Sequence, residues 1–150
     1  MDEKPKLKIK DTTVYTKDLK IALERCSEVS AAYLFGSAAG RGVVVNDLDI
    51  LVLLHQGVDK DEAYINLTHN LSKSLKILEA YVDLLFFDLE EADPSILAKA
   101  VNRGILLINR DPEYLGNMID SVSKYLLKNE TMMIRARRLR QERTEVFGEA

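Results

Sequence analysis

Apolar residues along this chain form two kinds of run. Short dense runs at Ala31 to Phe35, Leu48 to Leu54, Tyr81 to Phe87 and Ile105 to Ile108 have the length and composition of strands. Between them, apolar positions recur three or four residues apart, the period of a helix with one face buried. Leu19, Ala22, Leu23 and Cys26 predict a helix over about 17–29 with Thr16 as its N-cap, and Tyr64, Leu67, Leu71, Leu75 and Leu78 predict another over 60–78. Asp93-Pro94 and Asp111-Pro112 each place a capping side chain before a proline at the first helical position. Gly104 closes the first of these helices. The second carries Leu115, Met118, Ile119, Val122, Tyr125, Leu126 and Met133 on its apolar face, with no Pro or Gly between 117 and 147. Residues 1 to 10 are Lys-rich and weakly patterned, which predicts a loosely docked end.

Leu48 to Leu54 is apolar on both faces, as in a central strand covered from either side. The helix that follows has the length of a crossover between parallel strands, so the starts of Leu48–Leu54 and Tyr81–Phe87 should lie together. Three aspartates sit at those starts. Asp47 and Asp49 are two residues apart and should project side by side from one strand, and Asp83 lies inside the apolar run of the other. Carboxylates held this close require a cation between them, a retained proton or full solvation. Mg²⁺ is usually held by one or two carboxylates with phosphate oxygens and water completing its octahedron, so the Asp-x-Asp reads as half of a nucleotide site. Gly36-Ser37 supplies the other half. The glycine permits a sharp turn and close backbone approach, and the hydroxyl and free N–H groups of such a turn suit a phosphate. His55, at the far end of its strand, and His69, off the apolar stripe of its helix, read as ordinary surface residues.

Composition narrows the class. A chain of 150 residues suits one domain, a core over about 16–110 with a helical C-terminal segment over about 112–146. With 47% hydrophobic and 30% charged residues it has the profile of a soluble globular protein. A net charge of −3 argues against a dedicated nucleic-acid binder. No membrane span or secretory pattern is visible, so a cytoplasmic location is expected. The single Cys26 excludes an internal disulfide and a multi-cysteine zinc site and reads as a buried helical thiol. Arg135, Arg137, Arg138, Arg140 and Arg143 form a basic segment, either a solvated helical face or a surface for a partner or for phosphate.

Gly36-Ser37, nine intervening residues, Asp47-Leu48-Asp49 opening an apolar strand, and Asp83 on a later strand together resemble the nucleotidyltransferase fold of the polymerase β superfamily. The small size resembles its minimal nucleotidyltransferase (MNT) branch, in particular the MntA-type antitoxins that pair with HEPN-domain toxins. The resemblance covers about residues 30 to 110, including Arg103-Gly104-Ile105-Leu106-Leu107 ahead of the last core strand. It implies an α+β fold, a small mixed β-sheet flanked by helices with a long C-terminal helix. It further implies that Gly36 and Ser37 hold the triphosphate of ATP, that Asp47 and Asp49 bind two Mg²⁺ ions, and that Asp83 completes the metal site and helps deprotonate the attacking hydroxyl. The implied reaction transfers AMP to a tyrosine of a partner HEPN toxin, in a hetero-oligomer. The competing readings are a binding module that silences its partner by contact alone and nucleotidyl transfer to a small molecule such as an aminoglycoside. Two features depart from the pattern. Asn46 stands where many relatives have Ser, and the loop carries Val43-Val44-Val45, read as three exposed valines that could pack on a partner.

Overall fold

The structure, a computed structural model, describes residues 6–40 and 44–147, apart from the side chains of Met133 and of residues 142–147. Two strands, β1 (Lys6–Ile9) and β2 (Thr12–Tyr15), open the chain. They are followed by α1 (Thr16–Glu24), β3 (Val29–Leu34), the two-residue β4 (Val44–Val45), β5 (Leu48–Leu54) and α2 (Lys60–Leu75). The chain continues through β6 (Val82–Phe86), α3 (Pro94–Arg103), β7 (Ile105–Asn109) and α4 (Pro112–Phe147). The main sheet has the order β6-β5-β3-β7. Its β5–β6 pair is parallel and its other two pairs are antiparallel, so the sheet is mixed, as expected.

Side-chain alternation divides the core into two layers. Ala32, Leu34, Ile50, Val52 and Leu84 face α1 and α2 on one side of the sheet, while Ala31, Tyr33, Leu51 and Leu53 face α3 and α4 on the other. Strand β5 is therefore covered on both faces. The expected caps form: Ser95 N–H donates to Asp93 Oδ1 at 2.9 Å, and Tyr114 N–H donates to Asp111 Oδ1 at 3.1 Å. Among the described residues, no helix is long and apolar enough to cross a membrane.

Several expectations need correction. Lys6 to Ile9 is not a loose end: it pairs antiparallel with β2 and parallel with β4, burying Leu7 and Ile9. The Lys-Leu-Lys-Ile alternation, which puts every second side chain on one face, is the physical reason. Thr16 is the first residue of α1 and is buried; Tyr15 holds the N-cap position without a side-chain cap bond. Helix α1 ends at Glu24, not near 29, because the Arg110 guanidinium collects the carbonyls of Glu24, Cys26 and Val29 and turns the chain into β3. Cys26 thus lies just beyond the helix; its buried thiol donates to the Ala22 carbonyl, and burial pushes its pKa up. Helix α2 ends at Leu75, with Lys76 in the left-handed conformation. Leu78 therefore leaves the expected stripe for solvent, and Tyr64 packs edge-on against Phe86 rather than in the core. Among the valines, Val44 is 70% exposed but Val45, paired with Ile9 in the small sheet of order β2-β1-β4, is buried. Val43 and the neighbouring Arg41 lie outside the described residues.

Candidate active site

Strand β3 ends at Leu34, and the chain turns through Gly36–Ala39 in a single 3-10 turn. Gly36 has φ +65°, a conformation that glycine adopts without strain. Ala38 is fully buried and pins the turn to the core, which leaves Ser37 at the surface. Phe35 N–H donates to the Asp49 carbonyl at 3.0 Å and so continues the β3–β5 ladder as far as the turn. The result is intimate contact: a side-chain carbon added at Gly36 would come within 2.5 Å of Asp49 Oδ2. The glycine backbone and the Asp49 carboxylate occupy adjoining space that no other residue type could share.

Asp47 lies in the bend before β5, Asp49 is the second residue of β5, and Asp83 is the second residue of β6. Parallel pairing sets Asp49 directly opposite Asp83, so the two strand starts do meet. By alternation both side chains belong to the sheet face covered by α3 and α4. Asp83, although it lies inside an apolar run, is exposed near the start of its strand. Burial, a hydrogen bond with Asp83 and the charges of Asp83 and Asp47 push the Asp49 pKa up to about 7. Asp49 therefore feels both of the other carboxylates.

This donor set suits a hard cation. It offers only carboxylate oxygens, and the charges of Asp83 and Asp47, which add to burial in holding a proton on Asp49, are what a divalent ion between the groups would offset. Among the described residues no three His, Cys, Asp or Glu side chains form a group that could hold a metal ion, so Asp47, Asp49 and Asp83 are not gathered into one cluster. Mg²⁺ does not need one, because it takes part of its octahedron from substrate phosphates and water.

The turn also borders a cavity of ≈ 430 Å³, within the usual range for small-molecule sites. Phe35, Gly36, Ala39 and Gly40 form one wall; Ile96, Lys99, Ala100 and Arg103 of α3 form the other. The helix comes this close because a side chain at Gly104 would collide with the carbonyls of Ala100 and Leu34. Lys99 and Arg103, one helical turn apart, thus line the cavity together with the Gly36 turn. Sequence reasoning missed both cations. Their i, i+4 spacing looks like any solvated helical face, and only the neighbouring Gly104 hints at close docking.

The sequence pattern of the family "Polymerase beta, Nucleotidyltransferase" matches residues 17–113. No curated protein is matched by the sequence. Among solved structures, the chain is similar to one from a mutant MntA–HpeT toxin–antitoxin complex, at 21% identity and TM-score 0.59, covering 84% of this chain and 99% of that one. It is also similar to one from a toxin–antitoxin complex with AMP-PNP, at 23% identity and TM-score 0.58, covering 83% and 98%. A third is from the complex of a tri-AMPylated Shewanella oneidensis HEPN toxin with an MNT antitoxin, at 23% identity and TM-score 0.54, covering 83% and 95%. At these identities the likeness speaks for the fold. The family match spans well over half of the chain and includes the turn and all three aspartates, so the chain belongs to the polymerase β nucleotidyltransferase family.

Proposed function

We propose that this protein is a Mg²⁺-dependent adenylyltransferase that moves AMP from ATP to a tyrosine hydroxyl of a partner HEPN toxin, silencing it as an antitoxin. The observation that carries the reading is the Asp49–Asp83 pair beside the Gly36 turn: the Asp49 carboxylate abuts Gly36, which also lines a cavity walled by the cations Lys99 and Arg103. The structural neighbours, toxin–antitoxin complexes that include an AMPylated toxin and an ATP analogue, support the choice of acceptor and nucleotide. The described chain acts as a single domain in this reading.

Asp47, Asp49 and Asp83 would hold the Mg²⁺ ions, which supply charge neutralisation at the phosphates and acidify the attacking hydroxyl. The Gly36 turn and the Ser37 hydroxyl bind the triphosphate, and Lys99 and Arg103 draw its unreacting end toward the cavity. Asp83, exposed toward the arriving acceptor, takes the tyrosine proton. The tyrosine oxygen forms its bond to the α-phosphorus as the bond to the leaving pyrophosphate breaks, in line. Contact-only silencing is the second reading, favoured by the exposed distal half of α4.

Mass spectrometry of a HEPN toxin co-purified with this protein, after incubation with ATP and Mg²⁺, separates the two. Mass gain in adenylyl units on a tyrosine, absent with Asp47→Ala, is the expected result. Unmodified toxin that is nevertheless bound and silenced by both proteins would overturn transfer and leave contact.

A further inference from the structure

Helix α4 has 36 residues and would be about 54 Å long at the usual rise, far longer than the sheet it packs against. Leu115 and Val122 are buried against α3, and Val122 is the last buried position among the described residues; the described side chains from Leu127 to Gln141 are all exposed. The apolar pattern does not stop where the body stops. Tyr125, Met132 and Leu139 continue from Met118 at intervals of seven, and Asn129 and Ala136 continue from Val122 at the same interval. These are the d and a positions of a heptad repeat, the signature of a helix that packs along another helix. Tyr125, Met132 and Leu139 are 48%, 57% and 57% exposed, although the repeat assigns them to a seam.

The flanks of that seam identify its occupant. Lys128 and Arg135 fall at g positions and Arg140 at an e position, and from 124 to 140 the chain has six basic residues against the single acidic Glu130. A parallel pair of α4 helices from two copies would set Arg135 against Arg140, and an antiparallel pair would set Lys128 and Arg135 against each other. Both arrangements place like charges together, which disfavours a second copy of this chain. Asn129, a polar residue at an a position, fixes register in such a seam at some cost in stability.

We propose that the distal half of α4, from Tyr125 to Leu139, is a docking arm for an acidic amphipathic helix of a partner protein, bound as a short heterotypic coiled coil. The arm spans about 21 Å, or two heptads. The inference does not depend on nucleotidyl transfer, since none of these residues belongs to the candidate active site.

Fluorescence anisotropy with the full-length protein tests it, using two synthetic four-heptad peptides that share Leu and Ile seams with one Asn and differ only in Glu or Lys at every e and g position. The Glu peptide is expected to bind and the Lys peptide not. Binding of the Glu peptide should weaken at least about tenfold in Met132→Glu/Leu139→Glu and in Lys128→Glu/Arg135→Glu, with unchanged circular dichroism and unchanged ATP binding. The charge-reversed variant should also gain affinity for the Lys peptide, a change that misfolding cannot produce. Failure of the Glu peptide to bind, equal binding of both peptides, or indifference to the seam substitutions would overturn the proposal. So would a concentration-dependent dimer abolished by Met132→Glu/Leu139→Glu, or binding of the arm to anionic vesicles or RNA in place of the acidic peptide.

Discussion

Strand β6 has an aspartate near each end, and the two have opposite surroundings. At its start, Asp83 faces Asp49 across the parallel pair, and burial together with that neighbour pushes Asp49 up to about 7. Just past its other end, Asp88 receives a hydrogen bond from Lys60, which also pairs with Glu91 at 2.6 Å, and its pKa is pulled down. Both rims carry carboxylates on the same scaffold. At the far rim the protein provides its own cation, and a cavity of ≈ 240 Å³ there is lined by the resulting ion pair together with apolar side chains. At the near rim, among the described residues, no ion pair with Asp47, Asp49 or Asp83 is found. On the proposed function, the difference separates a structural ion pair from a site arranged to receive a cation.

The strongest way to break the comparison is Asp49→Asn. It removes the charge conflict, so thermal stability should rise at pH 8, while adenylyl transfer in a radiolabelled ATP assay should fall by about a thousandfold or more. Loss of both stability and activity would count against the reading of the near rim.

Next in size is Gly36→Ala, which meets both the positive φ and the Asp49 carboxylate. A loss of about 1–3 kcal/mol in urea unfolding is expected, with weaker ATP binding. Gly57, whose φ is +87° with open space around it, provides the control: Gly57→Ala should cost only the backbone strain and leave ATP binding alone.

The pH dependence of the two rims should have opposite signs. Asp49 keeps its proton in the folded protein up to about pH 7 but would release it near 3.8 when unfolded. Between those values the folded state binds more protons, so the Asp49 contribution is fully present at low pH and is lost as pH rises through 7. Asp88 behaves in reverse: its contribution is present above the ordinary carboxylate range and is lost as pH falls through its depressed value. Melting curves with and without Mg²⁺ read out the difference. Added Mg²⁺ should raise Tm at pH 8 more than at pH 5, and this pH-dependent gain should vanish in Asp49→Asn but survive Lys60→Met.

The smallest effect belongs to neither rim. Ser30 is fully buried in β3, and its hydroxyl has no hydrogen-bond partner. Ser30→Ala should therefore be neutral or stabilise by up to about 1 kcal/mol in denaturant titration.

Much of this arrangement can be read from the residues. The span Leu48–Leu54 is apolar at every position but Asp49, and the crossover length predicts parallel pairing, so the meeting of Asp49 with Asp83 follows before any coordinates are seen. The hairpin of β1 and β2 was legible in Lys6-Leu7-Lys8-Ile9 but obscured by its lysines, since charge suggests solvent unless the period of two is noticed. Lys99 and Arg103 were not legible. Their role as a cavity wall depends on how closely α3 approaches Leu34, a tertiary distance that local periodicity does not encode. The end of α1 was hidden for the same reason, because its terminator, Arg110, lies more than eighty residues away.

That distant arginine also constrains the order in which the protein can become active during synthesis. Once residue 83 has been added, the nascent chain already contains the glycine–serine turn and all three aspartates. Strand β3 still lacks its neighbour β7, however, and the carbonyls after α1 still lack Arg110. A chain truncated between residues 90 and 104 has all three aspartates but an open edge along the strand leading to the turn. The late clasp makes completion of the core a condition for chemistry, so unfinished chains should be inactive and prone to aggregate.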